Sequence, residues 1–86
     1  MKRIIFTGHA LYQMQRRAIS EDLVKQIIET PGQSAEVRPG RLVLQSQVMM
    51  GDPPANFVIR VFADVVGESL EVVTVYRSRK VEKYWR

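Results

Sequence analysis

Cysteine is absent from the 86 residues, and histidine and tryptophan occur once each. No disulfide and no thiolate metal site can form, and a transition-metal centre would have to lean on carboxylates. Any chemistry is therefore expected to be free of metal and cofactor. Long apolar runs are also missing, because none approaches the roughly twenty residues that span a bilayer, and the opening MKRIIFTG lacks the apolar core of a secretory signal. No membrane span and a cytoplasmic location are the expectation. Repeats, linkers and low-complexity tracts are likewise not found. One domain over residues 1–86 follows, large enough to hide about two-thirds of its unfolded surface.

What is present in excess is positive charge, and its position matters more than its size. The net charge is +4, yet residues 1–76 hold eight Lys or Arg against eight Asp or Glu. The excess lies in the last ten residues, RSRKVEKYWR, where five basic side chains meet only Glu82. A positive tip carrying Tyr84 and Trp85 combines attraction for phosphate with rings able to stack on bases. A solvated terminal helix whose two aromatics anchor it to the core fits the same residues.

Periodicity supplies the fold. Lys2 to Phe6 reads as a short strand, and Thr7 as the N-cap of a helix from Gly8 to Arg17 whose core side carries Ala10, Leu11, Met14 and Ala18. His9, Gln13 and Arg16 project from the other side, with Tyr12 and Arg17 beside them. Ser20 caps a second helix with an apolar stripe of Leu23, Val24, Ile27 and Ile28, Ile19 and Val24 have the spacing of a hydrophobic staple, and Pro31-Gly32 ends it. From Gln33 the period becomes two, with a type II turn expected at Arg38-Pro39-Gly40-Arg41 and a loose or bulged connection around it. The strongest pair of strands is residues 56–66 and 69–77, joined by a type II′ turn at Gly67-Glu68.

Unbroken pairing from Val66 and Ser69 sets Arg60 opposite Val75 and Val58 opposite Arg77. One face then carries Ile59, Val61 and Ala63 with Leu70, Val72, Thr74 and Tyr76, and receives the helices. The other carries Arg60, Phe62 and Asp64 with Val73, Val75 and Arg77, so the two arginines become diagonal neighbours on a face free for a partner. The fold class is α+β, with two N-terminal helices packed on one face of an antiparallel sheet of about four strands.

Three segments, HALYQMQRRAISEDLV, RPGRLVLQS and EVVTVYRSRKVEKYW, together resemble the bacterial family catalogued as domain of unknown function 4258. The resemblance implies a compact α+β domain similar to small metal-independent ribonucleases and RelE-like toxins. It sets the helix histidine on His9, the arginine before the second helix on Arg17, the strand arginine on Arg60, and the terminal tyrosine, arginine and lysine on Tyr76, Arg77 and Lys80. The chain departs from that pattern at Gln13, where many relatives place arginine, and at Ala18, where glycine is usual and alanine should only stiffen the turn.

Metal-free RNA cleavage needs a base, an acid and cations on the phosphate. Under that reading His9 transfers a proton, Arg60 and Arg77 join it as catalytic residues, and Arg17, Lys80, Lys83 and Tyr84 hold the nucleic acid. RNA and an acidic antitoxin protein are the expected partners. One histidine cannot be acid and base at once, and unbroken register turns Tyr76 to the core unless a bulge re-aims it. A non-catalytic module binding RNA or protein, or a homo-oligomeric accessory protein, is the alternative. Arg60, in the middle of an apolar strand, must find a carboxylate, a phosphate or water, and Asp64 on the same face is a candidate partner.

Overall fold

The computed structural model describes residues 3–86. Along the chain run β1 (Arg3–Phe6), α1 (Gly8–Arg16), α2 (Glu21–Glu29), β2 (Gln33–Arg38), β3 (Arg41–Met50), β4 (Ala55–Val66), β5 (Ser69–Ser78) and α3 (Val81–Tyr84). The expected first strand began at Lys2, which lies outside the described residues. All five strands join one sheet in the order β1-β5-β4-β3-β2. The α+β class is as expected, but the sheet has five strands, it is mixed, and a third helix follows it. The difference comes from β1, which pairs with β5 in parallel, Arg3 opposite Ser69 and Phe6 opposite Val72, and so covers part of an edge that would otherwise be open.

Helix starts follow the side chains that can satisfy free backbone N–H groups. The Thr7 hydroxyl accepts from the Ala10 N–H at 3.1 Å, and the Ser20 hydroxyl from the Leu23 N–H at 3.1 Å. Glu21 and Asp22 complement the positive end of α2. Both helices lie on one face of the sheet, where Ala10, Met14, Ile19, Val24 and Ile27 meet Leu44, Ile59, Val61, Ala63, Leu70, Val72 and Val75. Each fully buried valine or isoleucine there contributes about 1.5–3 kcal/mol. Leu11, expected on the core side, is 41% exposed. Helix α1 packs chiefly on β5, near the end of the sheet, and only its Ala10 and Met14 strip is buried.

The turns obey their glycines. Gly40 has φ +82°, as the third position of a type II turn after Pro39 requires, and the pairing slips by one residue between Glu36 and Arg38. At the β4–β5 hairpin Val66 pairs with Ser69 and Gly67 has φ +58°.

That second hairpin contains a correction with consequences. Ala63 pairs with Val72, but Phe62 pairs with Thr74, so Val73 is an extra residue in β5. Beyond this bulge every side chain of β5 changes face. Arg60 lies opposite Tyr76 rather than Val75, and Val58 opposite Ser78 rather than Arg77. Val75 enters the helix-covered core with no exposed surface. Tyr76 turns to the Arg60 side, and Arg77 turns away from it.

Ala18, between the two helices, has φ +54°. Alanine in this left-handed region costs about 1–2 kcal/mol, whereas glycine adopts it freely. Strain, not mere stiffening, is the effect of alanine here. Ala18→Gly should stabilise the domain by about 1 kcal/mol, raising the melting temperature by about 4–8 °C. An unchanged or lower melting temperature in a calorimetric scan would contradict the assignment.

Candidate functional site

Four polar side chains line up across the face of the sheet away from α1 and α2. The register places Gln33 opposite Gln45, Gln45 opposite Arg60 and Arg60 opposite Tyr76, one residue from each of β2, β3, β4 and β5. Their side chains connect in the same order. Gln45 Nε2 donates to Gln33 Oε1 at 2.9 Å, Arg60 Nε donates to Gln45 Oε1 at 2.9 Å, and Arg60 Nη1 donates to the Tyr76 hydroxyl at 2.6 Å. Gln45 is only 5% exposed. The orientation of its amide is fixed, since arginine can only donate and the oxygen must therefore face Arg60.

Aromatic rings complete the surroundings of Arg60. Its guanidinium carbon lies 4.5 Å from the Tyr84 ring centroid, 5.3 Å from Phe62 and 5.7 Å from Tyr76. Phe62 and Tyr76 stack, with centroids 6.0 Å apart, and Tyr84 meets Tyr76 edge-on. Each such face attracts the cation by about 0.5–2 kcal/mol, more as water is excluded. No carboxylate among the described residues takes part.

Asp64, the acid expected to compete for Arg60, is held elsewhere. Arg41 Nε and Nη2 bind its two carboxylate oxygens at 2.6 and 2.8 Å, because register places Arg41 opposite Asp64. The Arg41 hydrogen bonds hold the Asp64 carboxyl below its ordinary range against the opposing effect of burial, with a smaller pull from Arg38. The same contact raises Arg41. This bidentate pair is the ion pair among the described residues.

The basic segment after β5 folds back onto this face. Gln45 Nε2 donates to the Tyr84 carbonyl at 3.0 Å, the Arg86 N–H donates to Gln33 Oε1 at 3.2 Å, and Gln33 Nε2 donates to the Arg86 carbonyl. Trp85 lies over Gly32, where a Cβ would come within 2.5 Å of its ring. Tyr84 and Trp85 thus serve as anchors. Between this segment and β2 opens a cleft of about 580 Å³, lined by Gln33, Ala35, Val37, Val43, Gln45, Arg60, Tyr84 and Arg86, and reaching Ser34 and Glu36.

The other expected site residues are distributed differently. His9 is exposed on α1, and α1 packs on the opposite face of the sheet. Arg77 shares that opposite face and lies over the Phe57 ring at 4.9 Å. His9 and Arg77 therefore do not join Arg60 in one cleft, and the bulge at Val73 is the reason for Arg77. Arg17 is the C-cap of α1 and is half-exposed. Lys80 and Lys83 are exposed, and the Lys83 ammonium lies 5.4 Å from the Tyr84 ring. Gln13 holds the strand beneath it, since its Oε1 accepts from the Val75 N–H at 3.0 Å, on β5 beyond the stretch that β1 pairs. An arginine at that position could not accept this bond.

Gln33 and Gln45 were not among the expected site residues. A signal marks only Gln45, a buried glutamine in β3 directly across from the arginine in the middle of β4; Gln33, at the start of the polar strand β2, carries none. Among the described residues no group of three or more His, Cys, Asp or Glu is placed to hold a metal, and no helix is long and apolar enough to cross a membrane. Comparison with known families matches residues 6–77 to the model described as Domain of unknown function (DUF4258). No curated protein and no solved structure matches the chain.

The Arg41–Asp64 pair gives a pH signature. Because the folded-state carboxyl is lowered, its stabilisation is present above the ordinary value of 3.8 and is lost as pH falls through the folded-state value. Denaturation of wild type and Asp64→Asn should differ most at neutral pH and converge on acidification below 3.8. A difference that persists unchanged at low pH would contradict the pairing.

Proposed function

Since the chain belongs to the DUF4258 family, whose description assigns no activity, we propose from geometry that it is a binding domain whose second sheet face receives an anionic group at Arg60. One observation carries this reading. Arg60 is half-buried, has no carboxylate partner among the described residues, and commits only two of its five N–H donors to Gln45 and Tyr76. The remaining donors belong to a planar fork suited to carboxylate or phosphate.

Several features support the same reading. Gln45 and the rings of Phe62, Tyr76 and Tyr84 fix the guanidinium before any ligand arrives, which reduces the ordering cost of binding. Asp64 is kept from neutralising it by Arg41. The apolar strip of Ala35, Val37 and Val43 beside the charge gives the mixed lining of a small-ligand site. Of the functions open to this sequence, a non-catalytic binding module needs only this cleft. Proton transfer by His9 would act from the other side of the sheet and is not required by it.

Titration with inorganic phosphate, followed by the side-chain ¹⁵N–¹H resonances of Arg60 and Gln45, should show saturable shifts with a dissociation constant on the order of millimolar. Binding should weaken with salt and vanish in Arg60→Gln. Phosphate that leaves both resonances unmoved would overturn the proposal.

A further inference from the structure

We infer that the cleft beside Arg60 takes one nucleotide unit, with its phosphate at the arginine end and its base along the apolar strip. The inference rests on the anion-receptor reading of Arg60 and extends it to the rest of the ligand.

Two cations mark one end. Arg60 projects from β4, and Arg86 is brought to the same end because Gln33 binds both its N–H and its carbonyl. Two guanidiniums bracket a phosphate better than a single carboxylate, since each can bond separate oxygens. Gln33 already spends its amide on Gln45 and on the backbone of Arg86. This end thus pairs an Arg60 guanidinium held by Gln45 and Tyr76 with the exposed side chain of Arg86.

From that end the cleft runs along β2 from Gln33 to Val37, roughly 13 Å at the rise of a strand. Its floor there is Ala35 and Val43, which lie side by side because they pair, and Val37 lines the cleft beyond them. A flat, weakly polar ring covers such a strip without leaving buried polar atoms unmatched. Tyr84, whose ring packs on Arg60, forms the wall. The volume of about 580 Å³ falls within the range of about 300–1,000 Å³ typical of small-ligand sites.

The far side of the cleft is the outer edge of the sheet. β2 ends the strand order, and its residues from Ser34 to Arg38 are exposed. Strand edges present alternating N–H and C=O groups, the same mixture of donors and acceptors that a nucleobase carries around its rim. A simple dicarboxylate would satisfy the arginines and leave this edge and the apolar floor unused. The same chemistry is offered by a free nucleotide and by a single-stranded RNA, so both belong in the test.

The full 86-residue chain, ¹⁵N-labelled and wild type throughout, is titrated with inorganic phosphate, adenosine, adenosine monophosphate and a short single-stranded adenylate RNA. The monophosphate should bind at least about tenfold more tightly than phosphate or adenosine alone, one tenfold step being about 1.4 kcal/mol. It should also shift the amides of Ala35, Val37 and Val43 in addition to Arg60. Tighter, steeply salt-dependent binding of the RNA identifies the source as RNA; equal or weaker binding of the RNA identifies a free nucleotide, and either result supports the inference. A monophosphate no tighter than phosphate, with shifts confined to Arg60 and Gln45, would overturn the nucleotide inference while leaving the anion receptor standing. Phosphate that moves neither resonance would overturn both.

Discussion

A guanidinium set into the central strand of a sheet has to find partners for its N–H groups, or the domain loses several kcal/mol to desolvation. Arg60 meets part of that requirement without an acid and leaves its remaining donors to solvent or a ligand. Gln45 accepts from Nε, the Tyr76 hydroxyl accepts from Nη1, and three aromatic rings supply electron-rich faces. Much of the second face is arranged around this demand. Gln45 is buried because Arg60 and Gln33 both bind it, and the basic terminal segment is drawn back because Gln45 and Gln33 bind its backbone.

The demand can be met only because β5 carries one surplus residue. With unbroken pairing Tyr76 would point into the core and Arg77 would stand beside Arg60, bringing two cations together. The bulge at Val73 exchanges them. A hydroxyl that accepts replaces a charge that repels, and Val75 rather than Tyr76 fills the core. The displaced Arg77 rests on Phe57 across the sheet. Gln13 then accepts the Val75 N–H on the part of β5 that β1 leaves unpaired. Bulge, core and free edge are parts of one arrangement.

How much of this was legible depends on the range of the interaction involved. Caps at Thr7 and Ser20, the turn at Pro39-Gly40 and the hairpin at Gly67 are local, and their residues announce them. The core face of α2 and the first four pairs of the β4–β5 hairpin follow from periodicity alone. The parallel pairing of β1 with β5 is non-local and leaves no mark in a four-residue strand. The bulge is equally silent, because SLEVVTVYR alternates acceptably in either register. For the candidate site, Arg60 was legible as an arginine out of place in an apolar strand. Its glutamine partners were not placed by sequence, since setting Gln33 beside Gln45 and Gln45 beside Arg60 takes the register of three strands. Tyr84 and Lys83 stood out as basic or aromatic tail residues, but the packing of Tyr84 on Arg60 is a tertiary event.

A double-mutant cycle between Arg60 and Tyr76 tests this account most directly, using Arg60→Met, Tyr76→Phe and the pair in equilibrium denaturation. Side chains that share a face and a hydrogen bond should show a coupling of about 0.5–3 kcal/mol. Additive effects for that pair, together with coupling between Tyr76 and the buried helix face, would mean that β5 runs without its bulge and would contradict the account.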